Sequence, residues 1–367
     1  MSTKLHHSVL KRIFRTISEK DPLPPEYSPK KVKKVLIVNT TAIGDTLLST
    51  PAIRAIRKGF PEAEITALVS RDAHAILMNS PHIDSFVVHP GRVNLNYLIR
   101  LPLLLKNLKK GSFDLAVVLH ANDPDAGPLA YLTGASWRMG FEESGFSFLF
   151  TMPVKTRSSS EHVIDVQLRN IRGLGLSPVG RHMEFFLNKD DFIEAGPFVK
   201  RLKADKKGFI ALHPFGRNKN RWWPVDIARE FLRLFAKDTG YSIVIIGGRK
   251  EKDEAEGLIK GAEAVSIAGK LSIRGTAALL RDAALMVTTD SGPMHIAQAV
   301  GVPSVVLFGP ADPRVTGPLC EKDIVIQKRL SCVPCLKKTC RFERVECMLA
   351  IKATEVFEAA LKRLSGI

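Results

Sequence analysis

Short runs of consecutive apolar residues alternate along this chain with longer stretches whose apolar positions recur every three or four residues. The first kind reads as strands buried on both faces, the second as amphipathic helices. Strands are predicted at Val35–Asn39, Ile65–Val69, Phe86–Val88 and Leu115–Leu119, with helices over about Thr46–Lys58 and 72–79 between them. A leucine-rich stretch, 97–110, predicts a helix starting near Leu101, because Pro102 suits the first helical position and is unfavourable further in. Its Leu103–Leu105 and Leu108 stand beside Lys106, Lys109 and Lys110, so this helix either packs on the sheet or faces a membrane. A second series places strands at Phe209–His213, Ser242–Ile246, Ala264–Ile267, Leu285–Thr289 and Ser304–Phe308. Helices at Pro224–Asp238, 250–260, 272–282 and Met294–Val300 separate them. Such alternation predicts an α/β chain with two doubly wound, mostly parallel sheets whose strand ends face a shared central cleft.

Residues 177–208, between the two series, are rich in turns and charge and hold at most an edge strand near Met183–Leu187. They read as an interdomain linker region separating domains 33–176 and 209–344. The end, 345–367, reads as one long helix over about Val345–Leu364 that could cross back to the first domain. At the other end, Leu5, Val9, Leu10, Ile13, Phe14 and Ile17 recur at helical spacing beside Lys11, Arg12 and Arg15. Residues 1–20 therefore predict a basic amphipathic helix, suited either to an anionic membrane surface or to docking on the body of the protein. Four prolines between Asp21 and Pro29 mark 21–32 as a linker.

Composition narrows the class. At about 150 residues per domain, 367 residues suit two domains. The 45% hydrophobic content is too high for a disordered chain, and no apolar run approaches the roughly 20 residues that span a bilayer. With 54 Lys and Arg against 37 Asp and Glu, the formal charge is +17. Residues 1–34 carry nine of those cations and three acidic groups. Nucleic acid, an anionic membrane and a phosphorylated ligand would each answer such a balance.

Three segments carry chemistry. After the first predicted strand comes N-T-T-A-I-G-D-T-L-L-S-T-P, Asn39–Pro51, in which Thr41 and Gly44 form the turn and Asp45 opens the helix. Asp45 is either an N-cap or a strand-end carboxylate placed to take a proton. Neither G-x-G-x-x-G nor a P-loop lysine occurs there, so dinucleotide and P-loop readings fail. The run H-P-F-G-R-N-K-N-R-W-W-P, His213–Pro224, brings Arg217, Lys219 and Arg221, cations that could neutralise a diphosphate or simply form a solvated basic loop. The third, from Thr288 to Gly309, sets Thr289, Asp290, Ser291 and Gly292 at a strand end and helix start, where free amides can hold phosphate oxygens. His295, one turn on, either reaches the same anion or packs in the core.

These segments resemble glycosyltransferase family 9, the ADP-heptose:lipopolysaccharide heptosyltransferases, and within it the branch that adds the second heptose. The resemblance rests on G-D-x-L-L-x-T-P-A-I at Gly44–Ile53, on W-P at Trp223–Pro224, and on D-S-G-P-M-H at Asp290–His295 with the following G-V-P-S-V-V-L-F-G-P. It implies a GT-B fold of two Rossmann-like domains, the first binding acceptor and the second nucleotide-sugar. It also implies inverting transfer of heptose from ADP-heptose to the lipopolysaccharide inner core by a cytoplasmic enzyme peripherally associated with the inner membrane. Asp45 matches the family's general base, and Asp290, Ser291, Gly292 and His295 its diphosphate- and sugar-contacting group. Two positions depart from the family pattern: R-W-W-P puts Arg221 where K-x-W-P has Lys, and Ser291 stands where Thr is commoner. Arg221 keeps the charge and changes its reach, so another nucleotide-sugar remains an alternative donor. Arg221, Lys219 and the helix-start amides would stabilise the departing ADP, so that transfer requires no cofactor.

All five cysteines lie in the last 48 residues, and Cys332, Cys335, Cys340 and Cys347 give C-x₂-C-x₄-C-x₆-C. That spacing suits structural zinc or an iron–sulfur cluster, with disulfides or free thiols as the alternatives. A metal-containing nucleic-acid-binding protein is disfavoured, since the segment has no His and no recognisable nucleic-acid motif occurs. A membrane-associated binding protein without activity is disfavoured by the Asp45, Arg221 and His295 set.

Overall fold

The computed structural model describes residues 2–91, 95–120, 125–155, 160–204 and 206–366, with the side chains of 2–7 and 95–99 left aside. The chain divides into two units, Met1–Arg181 and His182–Ile367.

The first unit opens with helix α1, Ser2–Ser18. Strands β1 (Lys34–Asn39), β2 (Glu64–Val69), β3 (Ser85–Val88), β4 (Leu115–Val118), β5 (Trp137–Phe141) and β6 (Met152–Val154) form one sheet in the order β3-β2-β1-β4-β5-β6. Its pairs are all parallel, as β1 on β2 with Val35 opposite Ile65 illustrates. Parallel strands covered on both faces read as unbroken apolar runs, which is why β1 was legible: Val35, Leu36, Ile37 and Val38 are all buried. Helices α2 (Ile43–Leu48), α3 (Thr50–Gly59), α4 (Arg71–Leu77), α5 (Leu95–Gly111), α6 (Ala126–Leu132) and α7 (Val163–Arg172) complete the unit.

Several expectations change here. The single helix expected over Thr46–Lys58 is two, broken at Ser49. Helix α5 runs through Pro102 instead of starting beside it. Leu104 and Leu108 are buried in the sheet's core, and that packing outweighs the local cost of an interior proline. The sheet-packed alternative therefore holds for α5. Strands β5 and β6 escaped the pattern because Arg138 and Gly140 interrupt the first and Pro153 the second. Arg138 in β5 is accommodated by donating its Nε to the Leu149 carbonyl at 2.7 Å, and Pro153 is tolerated because β6 is an edge strand.

The second unit repeats the plan. Strands β7 (Phe209–His213), β8 (Ser242–Ile245), β9 (Val265–Ser266), β10 (Leu285–Thr289), β11 (Ser304–Phe308) and β12 (Ile324–Gln327) are parallel in the order β12-β11-β10-β7-β8-β9. Counted from β7, this is the same 3-2-1-4-5-6 order as in the first unit, the arrangement of doubly wound nucleotide-binding sheets. Its helices are α8 (Lys189–Lys203), α9 (Val225–Thr239), α10 (Lys252–Leu258), α11 (Ile273–Arg281), α12 (Gly292–Ala299), α13 (Pro313–Thr316), α14 (Glu346–Leu349) and α15 (Ala353–Leu364).

The stretch expected to be a linker holds α8, and residues 183–187 form no strand. Asn188 and Asp191 close a capping box at the start of α8, and Asp191 also forms a buried ion pair with Arg274 of α11. A pairing partner 83 residues away is not visible in local periodicity. The carboxyl end is not one long helix either. Ile351 is fully buried between α14 and α15, and its carbonyl accepts from Trp223 Nε1 at 3.1 Å. Val356 and Ala360 of α15 are buried in the second unit's core, with Phe357 edge-on to Phe235, so this helix packs within its own unit. Among the described residues, no helix is long and apolar enough to cross a membrane.

Candidate active site

In the first unit, β1 ends in Asn39 and the chain turns directly into α2. Asp45 is not the N-cap of α2; Ala42 is, and Asp45 occupies the third helical position with its side chain half-buried. Gly44 lies within α2 rather than in a tight turn before it. Thr41 donates to Asn39 Oδ1 at 2.6 Å, which holds the strand end, and Ser70 Oγ donates to the Thr41 carbonyl at 2.9 Å. The backbone of Asp45 is clamped by groups the sequence did not point to. Ser49 Oγ donates to the Asp45 carbonyl at 2.8 Å, and His120 Nε2 lies 2.9 Å from the same oxygen and 2.8 Å from Ser49 Oγ. Gln167 Nε2 donates to Ser49 Oγ at 3.2 Å and to the Leu119 carbonyl at 3.1 Å. Since β1 pairs with β4, His120 just after β4 stands beside the β1 exit, a proximity set by sheet order alone.

In the second unit, the corresponding strand exits are those of β7 and β10, which are also paired. After β7 the chain passes Gly216 and makes a short turn at Lys219–Arg221. A Cβ at Gly216 would stand 3.0 Å from Arg221 Cβ, so a bare backbone is what lets the turn close. Trp222 Nε1 donates to the Gly216 carbonyl at 2.7 Å, and Thr289 Oγ1 donates to the Phe215 carbonyl, tying β10 to this loop. The three expected cations do not form one cluster. Arg221 NH1 sits 2.7 Å from Asp290 Oδ2, Lys219 Nζ lies over the Trp222 ring at 5.4 Å, and Arg217 is exposed.

Ser291 precedes α12, yet no side chain caps the start of that helix. Its hydroxyl instead donates to the Thr289 carbonyl at 3.1 Å and lies 3.1 Å from His213 Nδ1. The helix start at Gly292 is therefore left to offer its amide and dipole to an anion. Burial pushes the His213 imidazole down to about 4, so it is neutral near pH 7 and adds no charge beside Ser291. His295 is buried in α12. Thus Arg221, Thr289, Asp290, Ser291 and His213 come together, while Arg217 stands outside this hydrogen-bonded set.

The cysteine segment leans on the loops that follow β11 and β7. The Cys335 and Leu336 amides donate to the Pro310 carbonyl at 3.1 and 2.9 Å, and Asn220 Nδ2 donates to the Lys337 carbonyl at 2.7 Å. All five cysteines are free thiols. Burial raises the Cys347 thiol, and the nearby Cys340, Cys332 and Cys335 raise it further. Among the described residues, no three His, Cys, Asp or Glu side chains converge tightly enough to hold a metal ion. A separate cavity of about 360 Å³ in the first unit, lined by Asp21–Pro25, Lys109, Tyr131 and Arg138, includes none of the predicted site residues.

Residues 103–346 match the family model described as glycosyltransferase family 9 (heptosyltransferase). Lipopolysaccharide heptosyltransferase 3 of Escherichia coli is 25% identical over 286 residues, which cover 73% of this chain and 80% of that protein. The glycosyl transferase family 9 structure from Veillonella parvula superimposes with a TM-score of 0.79 at 21% identity, covering 91% of this chain and 98% of that one. The E. coli ADP-heptose lipopolysaccharide heptosyltransferase II structure gives 0.75 at 18% identity, covering 91% and 99%. These likenesses show a GT-B-like fold with two parallel-sheet domains. A more distant one, at 0.57 and 15% identity over 92% of this chain and 78% of the other, is to the iron-containing dodecameric glycosyltransferase TibC from enterotoxigenic E. coli.

Proposed function

The chain belongs to glycosyltransferase family 9, the heptosyltransferases, and from that premise we propose that it transfers heptose from ADP-heptose to the inner core of lipopolysaccharide. A lipid-linked acceptor would put the enzyme at the cytoplasmic face of the inner membrane.

The observation that carries the reading is Arg221 standing 2.7 Å from Asp290 beside the uncapped start of α12. An incoming diphosphate competes with Asp290 for the guanidinium, and a planar guanidinium can hold two phosphate oxygens at once. Asp290, released from Arg221, then accepts hydrogen bonds from sugar hydroxyls. Asp45 takes the proton of the acceptor hydroxyl as its oxygen attacks the anomeric carbon opposite the leaving group, which inverts that centre. The negative charge growing on ADP is met by Arg221, Lys219 and the amide at Gly292. The neutral His213 holds Ser291 in place without competing for that anion.

The spacing of the four cysteines is of the kind zinc or iron takes, but the thiols do not converge in the structure. An ion would have to draw Cys332, Cys335, Cys340 and Cys347 together and would then cross-link the segment that receives the Asn220 hydrogen bond. Elemental analysis with a visible absorption spectrum checks this; a metal-free, colourless and active protein would remove it.

Arg221 in place of the family's usual Lys favours a second reading, transfer from another nucleotide-sugar. The deciding experiment offers the purified protein a panel of nucleotide-sugars with a lipid-linked, heptose-containing acceptor. Inverting transfer from ADP-heptose is expected. Transfer from a different donor alone would replace the first reading with the second.

A further inference from the structure

Helix α1 is seated on the first unit by the wrong side for a helix that belongs only to a globular core. An amphipathic helix of a soluble domain buries its apolar stripe. Here Val9, Leu10, Ile13 and Ile17 are 52%, 46%, 49% and 49% exposed. At about 100° per residue these four fall within an arc of about 100° on one face. The helix instead rests on Phe14, with Lys11 and Ser18 half-buried beyond it. Phe14 stands edge-on to Tyr131 and Phe146, with ring centres 5.8 and 6.0 Å apart, and the Arg15 guanidinium lies 5.2 Å above the Phe148 ring. Leu5, expected in the same stripe, lies outside the described side chains.

The charge on the helix is one-sided. Ser2–Ser18 contains Lys4, Lys11, Arg12 and Arg15 and no acidic residue. Of these, Arg12 is exposed at the edge of the open stripe.

We propose that the open face of α1 is a docking surface for an anionic phospholipid bilayer, with Val9, Leu10, Ile13 and Ile17 entering the headgroup boundary and Arg12, exposed at the edge of that stripe, pairing with lipid phosphates. The complementarity of an all-cationic helix to anionic lipid selects this occupant over a second copy of the chain, which would bring the same charges against its own. Phe14 and Arg15 then act as the mount that keeps the stripe turned outward. The surface is independent of the donor and acceptor groups, although a lipid-linked acceptor gives it a use.

The test is co-sedimentation of the full chain with vesicles, without donor or acceptor, so that it does not depend on the proposed reaction. Vesicles of phosphatidylcholine with phosphatidylglycerol should bind the protein, and phosphatidylcholine alone should bind it far less. The double change Ile13→Glu with Ile17→Glu should weaken binding to the anionic vesicles at least about tenfold. Its circular dichroism and its transferase activity on a water-soluble acceptor should not change. Raising the salt concentration should weaken binding of the parent chain. Equal binding by the double variant would overturn the proposal. A lipid-free dimer that dissociates in the double variant would also overturn it, assigning the stripe to a second copy.

Discussion

The two sheets share one strand order and put their candidate chemistry at equivalent places, yet they solve different electrostatic problems there. Each site sits at the carboxyl ends of the adjacent strands where winding reverses, β1 with β4 in one unit and β7 with β10 in the other. At the first, Asp45 is held through its backbone carbonyl by Ser49 and His120, with Gln167 behind them, and among the described residues no ion pair is seen at its carboxylate. At the second, a cation and a carboxylate already face each other, and the adjoining imidazole is kept neutral by burial. A proton acceptor is best left without a fixed cation, which would lower its basicity. A diphosphate would need positive charge, which on the proposed reading Asp290 keeps partly neutralised until the ligand arrives. The shared topology supplies a place, and the loop residues decide what is done there.

That contrast can be broken from either side. The largest effect is expected from Asp45→Asn, which should lower kcat by about 10²–10⁴-fold with little change in the KM for donor. Transfer rates measured at saturating acceptor check it, and an undiminished rate would remove Asp45 as the base. Next, Arg221→Ala should reduce kcat/KM for the nucleotide-sugar by about 10²–10³-fold, with Arg221→Lys recovering part of the loss. Equal activity of all three forms would leave the diphosphate without its proposed partner.

A third effect is on stability and belongs to the second site. The folded pKa of His213, about 4, lies below the ordinary 6.5 of the unfolded chain, so the unfolded state takes up a proton first as pH falls. Stability should be full above about pH 6.5 and decline toward pH 4 by on the order of 3 kcal/mol from this residue. Urea titrations across that range should show the decline, and His213→Gln should flatten it. The smallest effect is expected at the first site. His120→Ala removes its contacts with Ser49 and the Asp45 carbonyl, each worth about 0.5–1.5 kcal/mol, and should lower kcat up to about tenfold at an unchanged donor KM. A rise in donor KM instead would mean that His120 serves binding rather than the placement of Asp45.

Particular residues show how far local reading reached. Asp45, Asp290 and Ser291 were placed at strand exits because a short motif sets a polar group directly after a buried strand, and both signals are local. His120, His213 and Gln167 were not assigned roles, since each acquires one only through neighbours far along the chain. The same limit explains α8, whose Asp191 finds Arg274 across 83 positions, and the cations after β7, which looked equivalent in a row. Of their different fates, one ion-paired, one over an indole ring and one exposed, the ion pair is set by Asp290 from another loop, while Lys219 rests on Trp222 of its own segment.

By itself the sequence determined the alternation of strands and helices, the two-unit plan and the family, because apolar runs, helical spacing and motifs are properties of neighbouring residues. Only the tertiary structure decided that α1 presents its apolar stripe outward, that α15 packs within its own unit and that Arg221 rests on Asp290. Periodicity can say which face of a helix is apolar. What that face meets depends on surfaces assembled from residues scattered through the chain, and those exist only once it has folded.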